Sequence, residues 1–159
     1  MEQKFFFFDI DNTLAVWPEG KIPDSAQYCI DELQRRGHLV SIATGRIQVD
    51  AMRFAEQARI TNVVADGGHS ITIDGNLVSM IGMNRDMCIQ YLEYLESKHI
   101  PWAVTDRNKL GRITPYKEIL EWHPDWDVFK TVVDPEFDFH SVEDFYKIYV
   151  SVSYTHLRA

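Results

Sequence analysis

Long apolar runs are absent from this sequence of 159 residues. The longest, residues 5–8, is four Phe, whereas a membrane-spanning helix requires roughly 20 apolar residues. Residues 1–4 are mostly polar and Asp9 interrupts the apolar segment, so no secretory signal peptide is expected. The pattern predicts a soluble protein with no membrane partner.

Cysteine and positive charge are also scarce. Cys29 and Cys88 are the two cysteines, and both fall at apolar positions of predicted helices, so we expect buried free thiols and a reducing, cytoplasmic location. Lys and Arg number 16 against 24 Asp and Glu, a net charge of −8, which disfavours a nucleic-acid partner. A phosphorylated small molecule remains compatible, because a divalent cation can reverse the local charge.

Strands and helices alternate in the first half of the chain. This order predicts an α/β fold with a parallel, Rossmann-like sheet. The predicted elements are a buried strand over residues 4–9, a helix that begins at 23–24 and ends near 37, a strand over 38–43, a helix over 48–58 and a strand over 62–65.

The second half has a different pattern. Asp74-Gly75 between two apolar segments predicts a hairpin of residues 70–73 and 77–80. Asn84 can cap a third helix with Cys88, Tyr91, Leu92 and Leu95 on its apolar face. Further predictions are a strand over 101–105, a short helix over 141–146 and a strand over 147–152, whereas 108–138 stays unassigned.

We place a domain boundary near residues 80–84. The first domain would be residues 1–80 and the second, of mixed α/β character, residues 81–151. The last eight residues, 152–159, are similar to the translation of a sequencing adapter, and we expect a non-native tail there. The chain is therefore expected to stop inside its second domain.

Residues 9–14, Asp-Ile-Asp-Asn-Thr-Leu, directly follow the first predicted strand. In open parallel sheets, ligands bind at the carboxyl ends of the strands, where two carboxylates could face one ion or phosphate. Asp and Asn are also common turn formers. That alternative explains a single Asp at a strand end better than it explains the whole pattern.

This Asp-x-Asp-x-Thr segment is similar to the first motif of the haloacid dehalogenase-like superfamily. The resemblance implies that Asp9 is a nucleophile that forms a phospho-aspartate, and that Asp11 is the general acid and base. It also implies Mg²⁺, held by the Asp9 side chain and the Asp11 backbone carbonyl.

A second match, residues 41–46, ends in Thr-Gly-Arg at a strand-to-helix turn. A hydroxyl and a Gly amide there suit a phosphate oxygen. The resemblance implies that Thr44 is the counterpart of the family's second motif, and we expect Gly45, Arg46 and Asn12 to be phosphate-binding candidates with it. Arg46 could equally pair with an acidic neighbour.

A third match, residues 65–71, is similar to the Asn-Gly-Ala-x-Ile stretch of the Cof-type subgroup, which carries a type IIB cap. Asp66 replaces the usual Asn, so its role stays open, and His69 is predicted to be a hairpin-edge residue rather than a catalytic one. The second domain would then be the start of an α/β cap that excludes water and selects the substrate. Its Trp102, Trp122 and Trp126 either line that pocket or, as we favour, belong to the core.

The resemblance implies a Mg²⁺-dependent phosphatase acting on a sugar phosphate or a phosphorylated cofactor. The family's later Lys and Gly-Asp-x-x-x-Asp motifs do not occur, so this chain alone is expected to be inactive and poorly stable. The alternatives are a non-catalytic phosphate- or metal-binding module of degenerate fold, a receiver-like domain phosphorylated at Asp66, and phosphomutase or phosphonatase chemistry. The oligomeric state is not predicted.

Overall fold

The computed structural model describes residues 2–16, 20–122, 125 and 128–150. The chain divides between Ile81 and Gly82 into two compact units, each with its own sheet. The expected non-native tail, residues 152–159, lies outside the described residues. No helix in the described part is long and apolar enough to cross a membrane.

The first unit contains a five-stranded sheet in the order β1-β2-β3-β4-β5. Its first three strands are parallel and the last two form an antiparallel hairpin, which confirms the predicted α/β class. The strands are β1 Phe5–Phe8, β2 Leu39–Ala43, β3 Asn62–Ala65, β4 Ser70–Ile73 and β5 Asn76–Met80; the helices are α1 Asp24–Arg35 and α2 Gln48–Ala58.

The core of this unit forms where the helices meet the sheet. Ala51, Ala55 and Ala58 of α2 are fully buried, and their small side chains allow the helix backbone to come close to the strands. From α1, Ile30 is fully buried in the same cluster, which stabilises the unit by about 1.5–3 kcal/mol. The predicted bounds of α2 are confirmed.

The hairpin has the turn that Asp-Gly predicts. Asp74 and Gly75 have φ values of 50° and 78°, as a type I′ turn requires. The side chain of Asn62 accepts the N–H of Asp74 at 3.2 Å, which ties the turn to β3.

Two burial predictions for the first unit are wrong. Phe5 and Phe7 of β1 are 63% and 59% exposed, because side chains alternate along a strand and these two lie on the face opposite Phe8, which packs against the buried cluster. Cys29 is exposed, because the buried side of α1 is centred on its neighbour Ile30.

The second unit contains a four-stranded sheet in the order β8-β7-β6-β9. The segment that sequence analysis left unassigned supplies two of these strands and a short helix. The strands are β6 Trp102–Thr105, β7 Gly111–Thr114, β8 Lys130–Val133 and β9 Lys147–Val150; the helices are α3 Arg85–Ser97 and α4 Glu118–Trp122.

Trp102 is the centre of the core of the second unit. It is fully buried, and its indole N–H donates to Glu96 at 2.7 Å. Phe139 packs edge-on against its ring at a centroid distance of 5.3 Å. The core interpretation is confirmed for Trp102, whereas the side chains of Trp122 and Trp126 lie outside the described residues.

Helix α3 begins as predicted, since the Asn84 side chain accepts the N–H of Met87 at 3.0 Å. Cys88, Leu92 and Leu95 are buried, and burial raises the pKa of the Cys88 thiol. The prediction is wrong for Tyr91, which is 45% exposed.

The helix predicted over residues 141–146 is wrong. A single 3₁₀ turn occurs earlier, over Phe139–Ser141, where Asp138 accepts the N–H of His140 at 2.9 Å. The following backbone is extended, because Phe145 is fully buried and the N–H of Tyr146 donates to the carbonyl of Thr105 at 2.9 Å.

His140 should make the second unit's stability depend on pH. Its ring nitrogens lie 3.2 Å from Glu93 and 3.1 Å from Asp138, and hydrogen bonds to these carboxylates raise the pKa of His140 above 6.5. A raised pKa gives stability that is fully present below pH 6.5 and is lost as pH rises through the folded-state value. We expect His140→Asn to lower the melting temperature at about pH 5.5 and to have little effect at about pH 9. An equal loss at both pH values in thermal scans would contradict this.

Candidate active site

Three loops follow the parallel strands at one edge of the first sheet. The loop after β1 winds into a tight turn, in which the carbonyl of Ile10 accepts the N–H groups of Thr13, Leu14 and Ala15 at 3.3, 3.1 and 2.8 Å. Ile10 and Leu14 are buried, whereas Asp9 stays exposed. The apolar residues of the motif therefore anchor the loop that carries the carboxylates.

Asn12 occupies a left-handed position in the same turn. Its φ is 59°, a conformation in which Asn is enriched, and its N–H donates to the carbonyl of Ala15 at 3.0 Å. The residue is exposed. A phosphate contact from Asn12 stays a prediction.

The loop after β2 fixes the hydroxyl of Thr44. The Thr44 N–H donates to the carbonyl of Val64 at 2.9 Å, and its Oγ1 accepts the N–H of Arg46 at 3.2 Å. Thr44 is only 7% exposed. Because the oxygen accepts this bond, the hydroxyl hydrogen can be donated elsewhere.

The loop after β3 has an unusual backbone. Asp66, Gly67 and Gly68 have φ values of 53°, 63° and 105° in succession. Left-handed backbone costs a non-glycine residue roughly 1–2 kcal/mol. Two bonds to the β2 loop hold it there: Asp66 N–H to the Arg46 carbonyl at 2.8 Å, and Gly67 N–H to the Thr44 carbonyl at 3.2 Å.

The side chain of Asp66 caps helix α2. Its Oδ2 accepts the backbone N–H of Gln48 at 3.1 Å and the hydroxyl of Ser70 at 2.9 Å. The residue at the N-cap position itself, Ile47, has no side-chain acceptor. A carboxylate at a helix N-terminus is favoured by the helix dipole, so the Asp that replaces the usual Asn of the motif has a structural role here.

A cavity of about 340 Å³ lies within the first unit at this edge. It brings together three predicted site residues, Asp9, Thr44 and Gly45. Asp11, Asn12 and Arg46 are not among the residues that line it. The lining residues are Asp9, Ala43, Thr44, Gly45, Val64, Gly67 and Gly68. Sequence analysis did not predict that the two glycines after β3 reach this cavity, although a Gly pair directly after a strand was visible.

Arg46 pairs with two carboxylates, the second of the possibilities that its sequence position left open. Its Nε and Nη2 donate to the two oxygens of Asp11 at 3.0 and 2.7 Å, and its Nη1 donates to Asp50 at 2.6 Å. Burial opposes its charge, but the bonds and charges of Asp11 and Asp50 outweigh this and raise the pKa of Arg46. Sequence analysis missed Asp50; the signal was an acid four residues after Arg46 on a predicted helix.

His69 lies at the hairpin edge, as predicted. Its carbonyl accepts the N–H of Ile81 at 2.9 Å, and its ring Nδ1 lies 3.1 Å from the carbonyl of Ile81. These contacts between His69 and Ile81 extend the β4–β5 pairing by one residue pair beyond the strands.

The residues at the cavity fit Mg²⁺ in type. Asp9 contributes a carboxylate, and the Asp11 carbonyl is two residues away in a tight turn. Among the described residues there is no group of three or more His, Cys, Asp or Glu suited to hold a metal. Mg²⁺ commonly binds through one or two carboxylates, with waters and substrate phosphate as its other ligands, and these two oxygen donors are of that type.

Comparison with known proteins identifies the family of this chain. The sequence model of the family described as haloacid dehalogenase-like hydrolase matches residues 6–159. YkrA of Bacillus subtilis (strain 168), which is named as a phosphatase, is 32% identical over 122 residues, covering 76% of this chain and 47% of YkrA. A Streptococcus pyogenes protein named as a bifunctional phosphatase and peptidyl-prolyl cis-trans isomerase is 26% identical over 107 residues, covering 67% of this chain and 23% of that protein.

Solved structures share the fold. A haloacid dehalogenase-like hydrolase from B. subtilis superposes with a TM-score of 0.74 at 21% identity, covering 98% of this chain and 64% of the other. The subclass IIB sugar phosphatase BT4131 superposes with a TM-score of 0.67 at 18% identity, covering 91% and 56%. The chain belongs to the haloacid dehalogenase-like hydrolase family, as its motifs predicted. It spans about half the length of its curated relative YkrA.

Removal of the Asp66 carboxylate should loosen the start of α2. We expect Asp66→Ala to lower the free energy of unfolding by about 1–2 kcal/mol, because the N-terminal amide of Gln48 loses its acceptor. Asp66→Asn keeps an acceptor oxygen and should retain most of the stability. Urea unfolding combined with hydrogen exchange at the Gln48 amide measures both effects. Unchanged exchange in Asp66→Ala would contradict the capping role.

Proposed function

We propose that the protein carrying this sequence is a phosphatase that hydrolyses a small phosphorylated metabolite through a phospho-aspartate at Asp9. The observation that carries the proposal is the cavity in which Asp9 lies with Thr44 and Gly45. Family membership and a relative named as a phosphatase support it.

Asp9 is the proposed nucleophile. Its carboxylate oxygen attacks phosphorus, the bond from phosphorus to the leaving oxygen breaks, and an acyl phosphate forms. Water then attacks the same phosphorus and releases inorganic phosphate and the free carboxylate. Covalent catalysis divides one difficult displacement into two easier ones.

Thr44 and Gly45 are the proposed phosphate ligands. The Thr44 hydroxyl accepts the N–H of Arg46, so its own hydrogen can be donated to a phosphate oxygen. Apart from Gly45 and its two chain neighbours, no described residue has an atom within 4 Å of the position that a Cβ on Gly45 would take, which leaves room for a phosphate oxygen near the backbone.

Asp11 is the proposed proton donor and acceptor. As a carboxylic acid it protonates the leaving alkoxide, and as a carboxylate it takes a proton from the attacking water. Ile10, the one residue between Asp9 and Asp11, lies in the tight turn after β1, and the Asp11 carboxylate is held by Arg46.

Mg²⁺, bound by the Asp9 carboxylate and the Asp11 carbonyl, would reduce the repulsion between the anionic nucleophile and the phosphate. The net charge of −8 makes such a cation useful for any anionic substrate. For the substrate we propose a sugar phosphate or a phosphorylated cofactor; the similar structure BT4131 is described as a sugar phosphatase. We assign substrate selection to the second unit, as the resemblance to capped family members implies.

Three alternatives receive less support. A receiver domain would be phosphorylated at Asp66, but the Oδ2 of Asp66 accepts two hydrogen bonds that cap α2 and hold Ser70. A degenerate, non-catalytic module would not need an intact Asp-x-Asp-x-Thr segment. Phosphomutase or phosphonatase chemistry has no specific observation in its favour.

Substitution of the two carboxylates tests the proposal in the full-length protein that carries this sequence. Asp9→Asn should abolish hydrolysis of p-nitrophenyl phosphate, because the amide is a poor nucleophile. Asp11→Asn should lower kcat by about 10²–10⁴-fold through loss of proton transfer. Initial rates with increasing substrate measure both changes.

The matched control is Asp31→Asn, which removes the carboxylate of Asp31 on α1 from an exposed ion pair with Arg59, at the end of α2, and should leave the rate unchanged. EDTA should stop the wild-type reaction, and added Mg²⁺ should restore it. Hydrolysis that survives Asp9→Asn would exclude the proposed nucleophile, and hydrolysis that survives EDTA would exclude the metal.

A further inference from the structure

Arg46 links two carboxylates that differ in exposure. The side chains of Arg46 and Asp50 are 11% and 10% exposed, whereas that of Asp11 is 42% exposed. Of the two carboxylates that Arg46 contacts, that of Asp50 is therefore buried and that of Asp11 is accessible to solvent. A buried ion pair is costly unless its geometry is good, and here the Arg46–Asp50 distance is 2.6 Å.

Three side chains contact the guanidinium group of Arg46. The Arg46 Cζ lies 4.6 Å from the centroid of the Phe54 ring, which packs against the group. Nη1 donates to Asp50 at 2.6 Å. The remaining edge, Nε and Nη2, then faces Asp11 and donates to both of its oxygens, a two-point contact that orients a carboxylate.

We infer that Asp50 is a positioning residue for catalysis: it holds Arg46 so that the guanidinium fork sets the orientation of the Asp11 carboxylate. Arg46 then acts on the proton-transferring group rather than on the phosphate. This inference rests on the proposed function, in which Asp11 transfers the proton.

A purely structural role for Asp50 is the competing explanation. Asp50 lies in the first turn of α2, where a negative charge is favoured, and it also accepts a bond from Arg53 at 3.2 Å. A structural role would change stability, and with it the amount of active protein. A positioning role changes the rate of the chemical step in protein that is folded.

Steady-state kinetics of the full-length protein separate the two explanations. Asp50→Ala should lower kcat for p-nitrophenyl phosphate about ten- to hundredfold, because a carboxylate misplaced by about 1 Å transfers its proton poorly. KM should change by less than about threefold, since Thr44 and Gly45 are untouched. Asp50→Asn, which keeps the size of the side chain, guards against misfolding and should give a smaller loss of kcat in the same direction.

The matched control is Asp31→Ala, which removes the carboxylate from an exposed ion pair on α1 and should leave kcat and KM unchanged. Melting temperatures and active-site titration correct kcat for the folded fraction. A rise in KM with kcat unchanged, or a corrected kcat equal to that of wild type, overturns the inference.

A second measurement does not depend on activity. The Nε–H resonance of Arg46, assigned by its loss in Arg46→Lys, should be protected from solvent exchange in the wild-type protein. It should shift and exchange faster in Asp50→Ala and in Asp11→Asn, but not in Asp31→Ala. An unchanged resonance in Asp50→Ala overturns the inference whether or not the protein is a phosphatase. Absence of any Asp9-dependent hydrolysis in the wild-type protein, by contrast, is the failure of the proposed function.

Discussion

Parallel pairing of three neighbouring strands determines what this protein can do. Ile42 of β2 pairs with Phe8 of β1 and with Val63 of β3, so the three strands end nearly in line. Their loops, which carry Asp9, Thr44 and Gly67, line one cavity. No single loop carries all the groups of the proposed phosphatase site; the strand pairing brings them together.

Backbone hydrogen bonds between the loops then hold the residues of the site in place. The β3 loop donates to the carbonyls of Thr44 and Arg46, and the carboxylate of Asp66 caps the helix that begins directly after them. The left-handed backbone of Asp66 is tolerated because these bonds offset its strain. Arg46 links two elements by ion pairs, since its guanidinium group contacts the carboxylate of Asp50 on α2 and that of Asp11 in the loop after β1.

Local signals in the sequence were sufficient for most elements of the first unit and for three residues that line the cavity. Helix α2 and the Asp74-Gly75 hairpin agree with prediction, because alanine spacing and turn chemistry act over a few residues. The motifs after β1 and β2 indicated Asp9 and Thr44, which the structure brings to one cavity.

The remaining features depend on contacts between distant residues. Residues 142–146 do not form the predicted helix, because Phe145 is buried and the N–H of Tyr146 donates to the carbonyl of Thr105, which overrides local helix signals. The exposure of Phe5 and Phe7 depends on which face of β1 the rest of the unit covers. The choice of Arg46 between phosphate and carboxylates likewise required knowledge of where Asp11 lies, 35 residues away.

The identity of the phosphorylated residue tests the central claim most directly. The full-length protein would be incubated with acetyl phosphate and Mg²⁺, quenched in acid and reduced with borohydride, which converts an aspartyl phosphate to homoserine. Peptide mass spectrometry would then locate the modified position. The phosphatase account predicts homoserine at Asp9 and unmodified aspartate at Asp66. Modification at Asp66 with Asp9 intact would contradict the account and indicate a receiver-like phospho-acceptor instead.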